Sequence, residues 1–179
     1  MRSMRISGFT LVELLVTISI VAILLAVGLP SFQSAMRSNR LATTTNEMIG
    51  SVSLARTEAI RTTLGGGICA TSDGTSCGAD DAWTDGWLVW ADVGDANLGV
   101  FDAGDTIIRV IDPHPHMTLT AASADGTLTS VSFDARGRSR QGEVTFTLAP
   151  LNCPAGLELI RTMTLNGVGQ LATRRGECS

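Results

Sequence analysis

The sequence predicts an α+β fold in which one long N-terminal α-helix packs on an antiparallel β-sheet domain. Apolar residues follow helical spacing through the first third of the chain, and from Gly66 onward their period falls to two. Short apolar runs then alternate with turn signals such as Asp73-Gly74, Gly94-Asp95, Gly104-Asp105, Asp125-Gly126 and Asn166-Gly167. Six or seven short strands after a single helix, joined by short connections, form an antiparallel sheet. The 179 residues suffice for one domain with an appendage, and a charged fraction of 17% argues against a disordered chain.

The helix begins in an apolar run, residues 9–29, whose only charge is Glu13. At about 1.5 Å per residue it spans about 31 Å, the thickness of a hydrocarbon core of roughly 30 Å. Arg2 and Arg5 precede it, so residues 1–8 are expected in the cytoplasm and the remainder on the far side. A secretory signal peptide is a poorer account, because its apolar stretch is about 7–15 residues and ends in a small-x-small cleavage site. This run is longer and keeps a carboxylate. A membrane-buried acid costs roughly 2–3 kcal/mol or more, so Glu13 is expected to have a function. Pro30 is expected to kink the helix without ending it. Leu41, Met48, Val52, Ala55 and Ala59 then mark one face, with Arg40, Glu47, Glu58 and Arg61 elsewhere around the circumference. Leu64-Gly65-Gly66-Gly67 terminates a helix expected from about 9 to 63, with residues 9–29 in lipid and 30–64 reaching a β-rich domain at 65–179.

In that domain Trp87-Leu88-Val89-Trp90 is apolar on both sides, as in a strand covered on both faces. Further strands are expected at Thr106–Ile111, Met117–Ala121, Thr129–Phe133, Glu143–Leu148 and Leu157–Leu165. In the last of these, Leu157, Leu159, Met163 and Leu165 share a face on which Arg161 is the exception.

Charge is unevenly spread. The 13 basic residues are all arginine against 17 acids, a net of −4. Residues 65–130 hold ten acids against Arg109 alone, a net of −9, whereas residues 30–64 and 131–179 each carry +2. An acidic total opposes nucleic-acid binding through overall charge. With no tyrosine and two histidines there is little material for acid–base chemistry. No Ser/His/Asp arrangement, Walker loop or paired metal-ligand set is present, so the protein is expected not to be an enzyme and no cofactor or metal is implied. His114-Pro115-His116 is expected to be a polar loop between strands. Asp92, Asp95, Asn97, Asp102 and Asp105 lack the ligand spacing and terminal Glu of an EF-hand, and are expected at a solvated hairpin tip. Arg136-Gly137-Arg138-Ser139-Arg140 is expected to form a solvated hairpin loop, though arginine also grips phosphate bidentately. Cys69, Cys77, Cys153 and Cys178 all follow the apolar run, on the side expected to be oxidising. Four cysteines allow three pairings. Cys69–Cys77 would close a turn and Cys153–Cys178 would staple the tail to the preceding loop, each worth about 2–4 kcal/mol. A zinc site is disfavoured because no CxxC spacing exists and the histidines are remote.

Gly8-Phe9-Thr10-Leu11-Val12-Glu13-Leu14 resembles the processing motif of type IV prepilins and type II secretion pseudopilins. The resemblance implies a type IV pilin-like fold and a leader, residues 1–8, cut after Gly8 by a prepilin peptidase that methylates the new amine of Phe9. It implies that Glu13 pairs with the N-terminal amine of a neighbouring subunit, so that two charges in lipid neutralise each other. The domain resembles the GspH/FimT branch through Ile68-Cys69, Asp73-Gly74, Cys77, Trp83-x-x-Gly86-Trp87-x-Val89-x-x-Asp92, Val131-x-Phe133-x-x-x-Gly137, Val144-Thr145-Phe146-x-Leu148 and a last strand ending near Gly169. The implied protein is a minor pseudopilin near the tip of a type II secretion pseudopilus. It would be anchored in inner-membrane lipid with its domain in the periplasm, and its partners are other pilins or pseudopilins of the filament. The alternative is a FimT-like minor pilin of a type IV pilus that binds DNA in natural transformation. FimT-type pilins do so through a C-terminal Gly-Arg-x-Arg. Here the corresponding end reads Gly169-Gln170-Leu171-Ala172, without either arginine, while Arg174 and Arg175 follow it. The literal pattern, Gly137 to Arg140, falls in an earlier loop, so the candidate DNA contacts are Arg136, Arg138, Arg140, Arg174 and Arg175.

Overall fold

The computed structural model describes residues 9–79, 83–94 and 97–179. Among the described residues one helix, α1 (Leu11–Thr62), precedes nine strands: β1 (Gly66–Ala70), β2 (Trp87–Ala91), β3 (Thr106–Ile111), β4 (Met117–Ser123), β5 (Gly126–Thr127), β6 (Ser130–Phe133), β7 (Val144–Pro150), β8 (Ile160–Leu165) and β9 (Leu171–Gly176). A 3-10 turn at Trp83–Asp85 leads into β2. The chain divides into two compact units, one ending at Asn39 and one comprising Arg40–Ser179.

In the first unit α1 is uninterrupted, and its large apolar side chains from Leu11 to Phe32 are all more than half exposed. Its best window has a mean hydropathy of 2.6, so by length and composition the helix can cross a membrane. The hydroxyls within it bond back to the helix itself: Thr17 to the Leu14 carbonyl (2.8 Å), Ser19 to Leu15 (2.7 Å) and Ser34 to Ser31 (2.9 Å). These three hydroxyls are thereby satisfied without water, which suits a lipid environment.

In the second unit the expected face of α1 is the buried one: Leu41, Met48, Val52, Ala55 and Ala59 are all at most 2% exposed. They pack against two antiparallel sheets, not one, ordered β3-β2-β1-β6 and β5-β4-β7-β8-β9. The main core holds Trp83, Trp87, Val89, Val131 and Phe133 from the first sheet's side and Leu119, Phe146, Leu148, Met163 and Leu165 from the second. Trp83 meets Phe146 edge-to-face at 5.5 Å and donates its Nε1–H to the Leu128 carbonyl (2.7 Å). Trp87 donates to Ser51 Oγ (2.9 Å), which ties β2 to the helix. On the opposite face of β2, Leu88 and Trp90 form a second small core with Cys69, Cys77 and Phe101. That double covering explains the uninterrupted Trp-Leu-Val-Trp run. Gly67 lets the strands approach, since a Cβ there would lie 2.6 Å from the Val131 carbonyl oxygen and 2.9 Å from the Trp90 ring.

Three expectations are corrected. The Leu157–Leu165 strand starts only at Ile160, because Leu157 and Leu159 are spent on a turn in which Leu157 N–H bonds Pro154 and the Leu157 carbonyl receives Cys178 N–H. The last strand does not end near Gly169: that glycine, with φ of 82°, sits in the β8–β9 turn, and β9 follows it. Asn166 builds this turn, its Oδ1 accepting the Val168 and Gln170 N–H groups. Finally, β1 and β5 were not among the expected strands. Gly66 and Gly67 hide β1, and β5 is only two residues long.

Candidate functional site

The processing residue Gly8 lies outside the described residues. Phe9, beside it, is exposed, and Thr10 caps α1 by accepting the Glu13 N–H on its hydroxyl (3.2 Å) and the Leu14 N–H on its carbonyl (3.2 Å). Thr10-x-x-Glu13 is a capping-box spacing, a helix-start signal legible in the sequence itself. Glu13 stands in the first turn, where the positive end of the helix dipole favours an anion. Among the described residues its carboxylate enters no ion pair.

The second candidate is the arginine loop between β6 and β7. Asp134 organises it: one carboxylate oxygen accepts the Arg136 and Arg138 N–H groups, both at 2.9 Å, and the other pairs with the Arg138 guanidinium at 2.9 Å. The Arg138 backbone N–H foremost holds the Asp134 carboxyl below its ordinary value of 3.8, against some burial, with Arg136 N–H and the Arg138 side chain helping. Gly137, with φ of 72°, turns its carbonyl to Arg56 Nε of α1 (2.9 Å). Ser139 N–H bonds the Gly167 carbonyl (3.2 Å), and Arg140 packs over Gly99. The loop is therefore tied to the helix, to the β8–β9 turn and to the acidic loop, and is not a free hairpin tip. Arg136, Arg138 and Arg140 remain exposed on it. Arg174 and Arg175 do not join them: they pair with Thr162 and Arg161, at the end of β8 away from that turn.

His114 lies in the expected loop between β3 and β4, where it is half-buried and not free in solvent. Its ring stacks on Trp87 (5.0 Å, 13°) and its Nε2 lies 2.6 Å from Glu47 Oε2, so it joins the β3–β4 loop to the helix. Asp92 is also buried, accepting the Gly99 N–H, and Phe101 from the same loop caps Trp90. Asp95 lies outside the described residues. Among the described residues no group of three or more His, Cys, Asp or Glu side chains is placed to hold a metal. The cysteines adopt one of the three pairings: Cys69–Cys77 (Cα–Cα 5.6 Å) and Cys153–Cys178 (5.4 Å). Asp73 lies within the first bridge and accepts the Thr75 and Ser76 N–H groups and the Ser76 hydroxyl. These bonds, Thr75 N–H first, hold its carboxyl far below the ordinary range.

Residues 44–169 match the family model described as type II transport protein GspH, and residues 3–29 match that of the prokaryotic N-terminal methylation motif. Two crystal forms of the type IV minor pilin FimU of Pseudomonas aeruginosa (strain PAO1) have a similar fold. The first is 20% identical with a TM-score of 0.56, over 76% of this chain and 90% of that one. The second is 19% identical with a TM-score of 0.54, over 74% and 91%. No curated protein matches the chain.

Proposed function

The chain belongs to the GspH family and carries the N-terminal methylation motif, and we propose that within this family it is a minor pseudopilin of a type II secretion pseudopilus. The family is one of structural subunits that associate with other pilins in a filament, not of enzymes. The observation that carries the reading is the pairing of a GspH-type domain at 44–169 with a processing motif at the head of an exposed apolar helix. In this reading a prepilin peptidase removes residues 1–8 after Gly8 and methylates Phe9. Residues 9–29 lie in inner-membrane lipid, 30–64 extend the helix, and 65–179 form the periplasmic domain near the filament tip. Glu13 then meets the methylated amine of a neighbouring subunit. An acid and an amine that are each expensive in hydrocarbon become tolerable together.

One observation favours a second reading, a type IV pilus minor pilin that touches DNA. Although Gly169-Gln170-Leu171-Ala172 lacks the arginines of the FimT pattern, the Gly137–Arg140 loop is hydrogen-bonded to that same turn, so its arginines stand beside it in space. Against it, Arg138 is already paired with Asp134.

Mass spectrometry of the mature protein should find N-methyl-Phe9 as the first residue, and Glu13→Ala should leave cleavage intact while impairing assembly with other pilins. An intact leader in a host with an active peptidase refutes the reading. A DNA mobility shift that is salt-dependent and lost in Arg136→Ala/Arg140→Ala would instead support the second.

A further inference from the structure

Three strands of the second sheet repeat one short pattern: Thr118-Leu119-Thr120 in β4, Thr145-Phe146-Thr147 in β7 and Thr162-Met163-Thr164 in β8. Leu119, Phe146 and Met163 are buried in the core, so alternation along each strand turns the threonines to the opposite, outer side. The register then aligns them. Thr120, Thr147, Thr162 and Arg174 form one row across four strands, and Ala122, Thr145, Thr164 and Ala172 form the next. Neighbours within a row stand about 4.8 Å apart, and the two rows about 6.7 Å. Thr118 donates its hydroxyl to the Ala149 carbonyl (3.3 Å), while among the described residues the other five threonine hydroxyls make no hydrogen bond within the chain. Strand propensity favours threonine at such positions. Solubility, however, ordinarily puts charges on a solvated face, and Arg174 is the only one in these two rows.

Over β8 and β9 this face deepens into an open groove of about 620 Å³, lined by Thr162, Thr164, Ala172 and Arg174, with Asn166 and Gln170 at its turn end. Asn166 Nδ2 donates to Gln170 Oε1 (3.3 Å), which fixes that amide and leaves its Nε2 donors unspent among the described residues. Arg174 is exposed and enters no ion pair among the described residues. The lining therefore offers hydroxyls that both give and accept hydrogen bonds, carboxamides that do the same, and one guanidinium. A protein partner is ordinarily gripped by aromatic and Met anchors, a nucleic acid by many basic groups, and a bilayer by an apolar or basic face. The two rows hold none of these. Their chemistry matches a polymer that is itself rich in hydroxyls and amides and only sparsely acidic.

We propose that the groove over β8 and β9 binds an extended, β-1,4-linked glycan strand carrying N-acetyl groups and carboxylates, the chemistry of a bacterial cell wall. From the Gln170 amide at one end to Arg174 at the other is four residues of strand, about 13 Å, which gives room for a short stretch of sugar rings. Ring hydroxyls exchange hydrogen bonds with Thr162 and Thr164, and N-acetyl amides with Asn166 and Gln170. A carboxylate takes the Arg174 guanidinium. The threonines of β7 and β4 continue the hydroxyl surface beside the groove. The inference goes beyond the filament reading: it does not involve Glu13, and it asks for one bound strand per subunit without any contact between copies.

The full-length protein in neutral detergent micelles is sedimented with purified, protein-free cell-wall sacculi, and a soluble N-acetylglucosamine oligomer is added as competitor. The sacculi should retain the wild type, and the oligomer should release it. Thr162→Val/Thr164→Val keeps the β-branched shape and removes two hydroxyls, so retention should weaken about tenfold at an unchanged melting temperature. Arg174→Gln should weaken retention by the sacculi and leave binding of the uncharged oligomer as it was. Ala172→Lys adds a positive charge but fills the groove, and should also lose retention. Absence of wild-type retention, or a folded Val variant retained as well as wild type, overturns the proposal. Retention that rises in Ala172→Lys and vanishes at roughly 500 mM salt is charge adsorption and overturns it too. So does a Val variant that loses copurification with other pilins while no glycan is bound, which would give this face to a protein neighbour.

Discussion

The two disulfides close loops of very different length, and this makes their contributions separable. In the chain-entropy account a bridge restricts the unfolded chain by about 2.1 + 1.5R ln n cal/mol/K, with n the residues enclosed. For Cys69–Cys77 the sequence separation of 8 gives about 2.5 kcal/mol at 25 °C. For Cys153–Cys178 the separation of 25 gives about 3.5 kcal/mol. Simple substitution would confound the comparison, since Cys69 is fully buried against Leu88 and Trp90 and its removal also opens a cavity. The cleaner perturbation is to keep one bridge at a time, in Cys153→Ala/Cys178→Ala and in Cys69→Ala/Cys77→Ala, and to melt each protein oxidised and reduced. Both thiols then stay in place, and the difference reads the cross-link alone. With about 3 °C per kcal/mol for a domain of this size, reduction should lower Tm by about 7 °C for the shorter loop and about 10 °C for the longer. Tryptophan fluorescence of the full chain in detergent micelles measures it, since Trp83, Trp87 and Trp90 all sit in the domain. If reducing Cys69–Cys77 costs as much as or more than reducing Cys153–Cys178, loop closure is not the source of the stabilisation.

Three other substitutions test the packing and the electrostatics. Ser51→Ala strands the buried Trp87 N–H and should cost about 1–3 kcal/mol in urea denaturation, with part of the loss recovered when Trp87→Phe is added. Gly67→Ala drives a methyl group into the Val131 carbonyl and the Trp90 ring, and should destabilise by about 2–3 kcal/mol or prevent accumulation of the protein. Asp134 has a folded-state pKa below its unfolded value, so its contribution is present above the unfolded value of about 4 and disappears as pH falls through the folded one. Asp134→Asn should therefore melt below wild type at about pH 7, and the gap should close as pH falls below the ordinary carboxylate range.

The helix and its buried face were legible because a 52-residue element averages over many local choices, and the positions Leu41 to Ala59 repeat at 3.6. β3 was legible to the residue, and β2 nearly so, because their edges coincide with turn residues. What stayed hidden was hidden for physical reasons. β1 begins in two glycines, whose value lies in the side chain they lack, so no periodicity announces it. The division into two sheets depends on which strand returns beside which, and β6 joins β1 across the intervening residues 71–129. His114 reads as a polar loop residue until Glu47 and Trp87, from a helix and another strand, arrive beside it. The arginine loop was visible as a motif, but its attachment to Arg56 and to the β8–β9 turn was not, because those contacts join residues remote in the chain.

A common electrostatic rule runs through these sites. Asp73, Asp92 and Asp134 spend their charge on backbone N–H groups of their own loops, and in doing so hold those loops in shape. Glu47 meets His114, and Glu58 meets Arg61, within the same domain. Charges satisfied in this way are structural, and removing one costs stability wherever the molecule is. Glu13 is of another kind. It stands on an apolar helix and enters no ion pair among the described residues, so its charge is costly in hydrocarbon. In the filament reading proposed above, that cost falls only when a neighbour's amine arrives, and assembly is favoured by the difference. Glu13→Ala should then leave the melting temperature of the isolated subunit unchanged while weakening its association with other pilins. If Glu13→Ala instead lowered the melting temperature, Glu13 would belong with the structural charges.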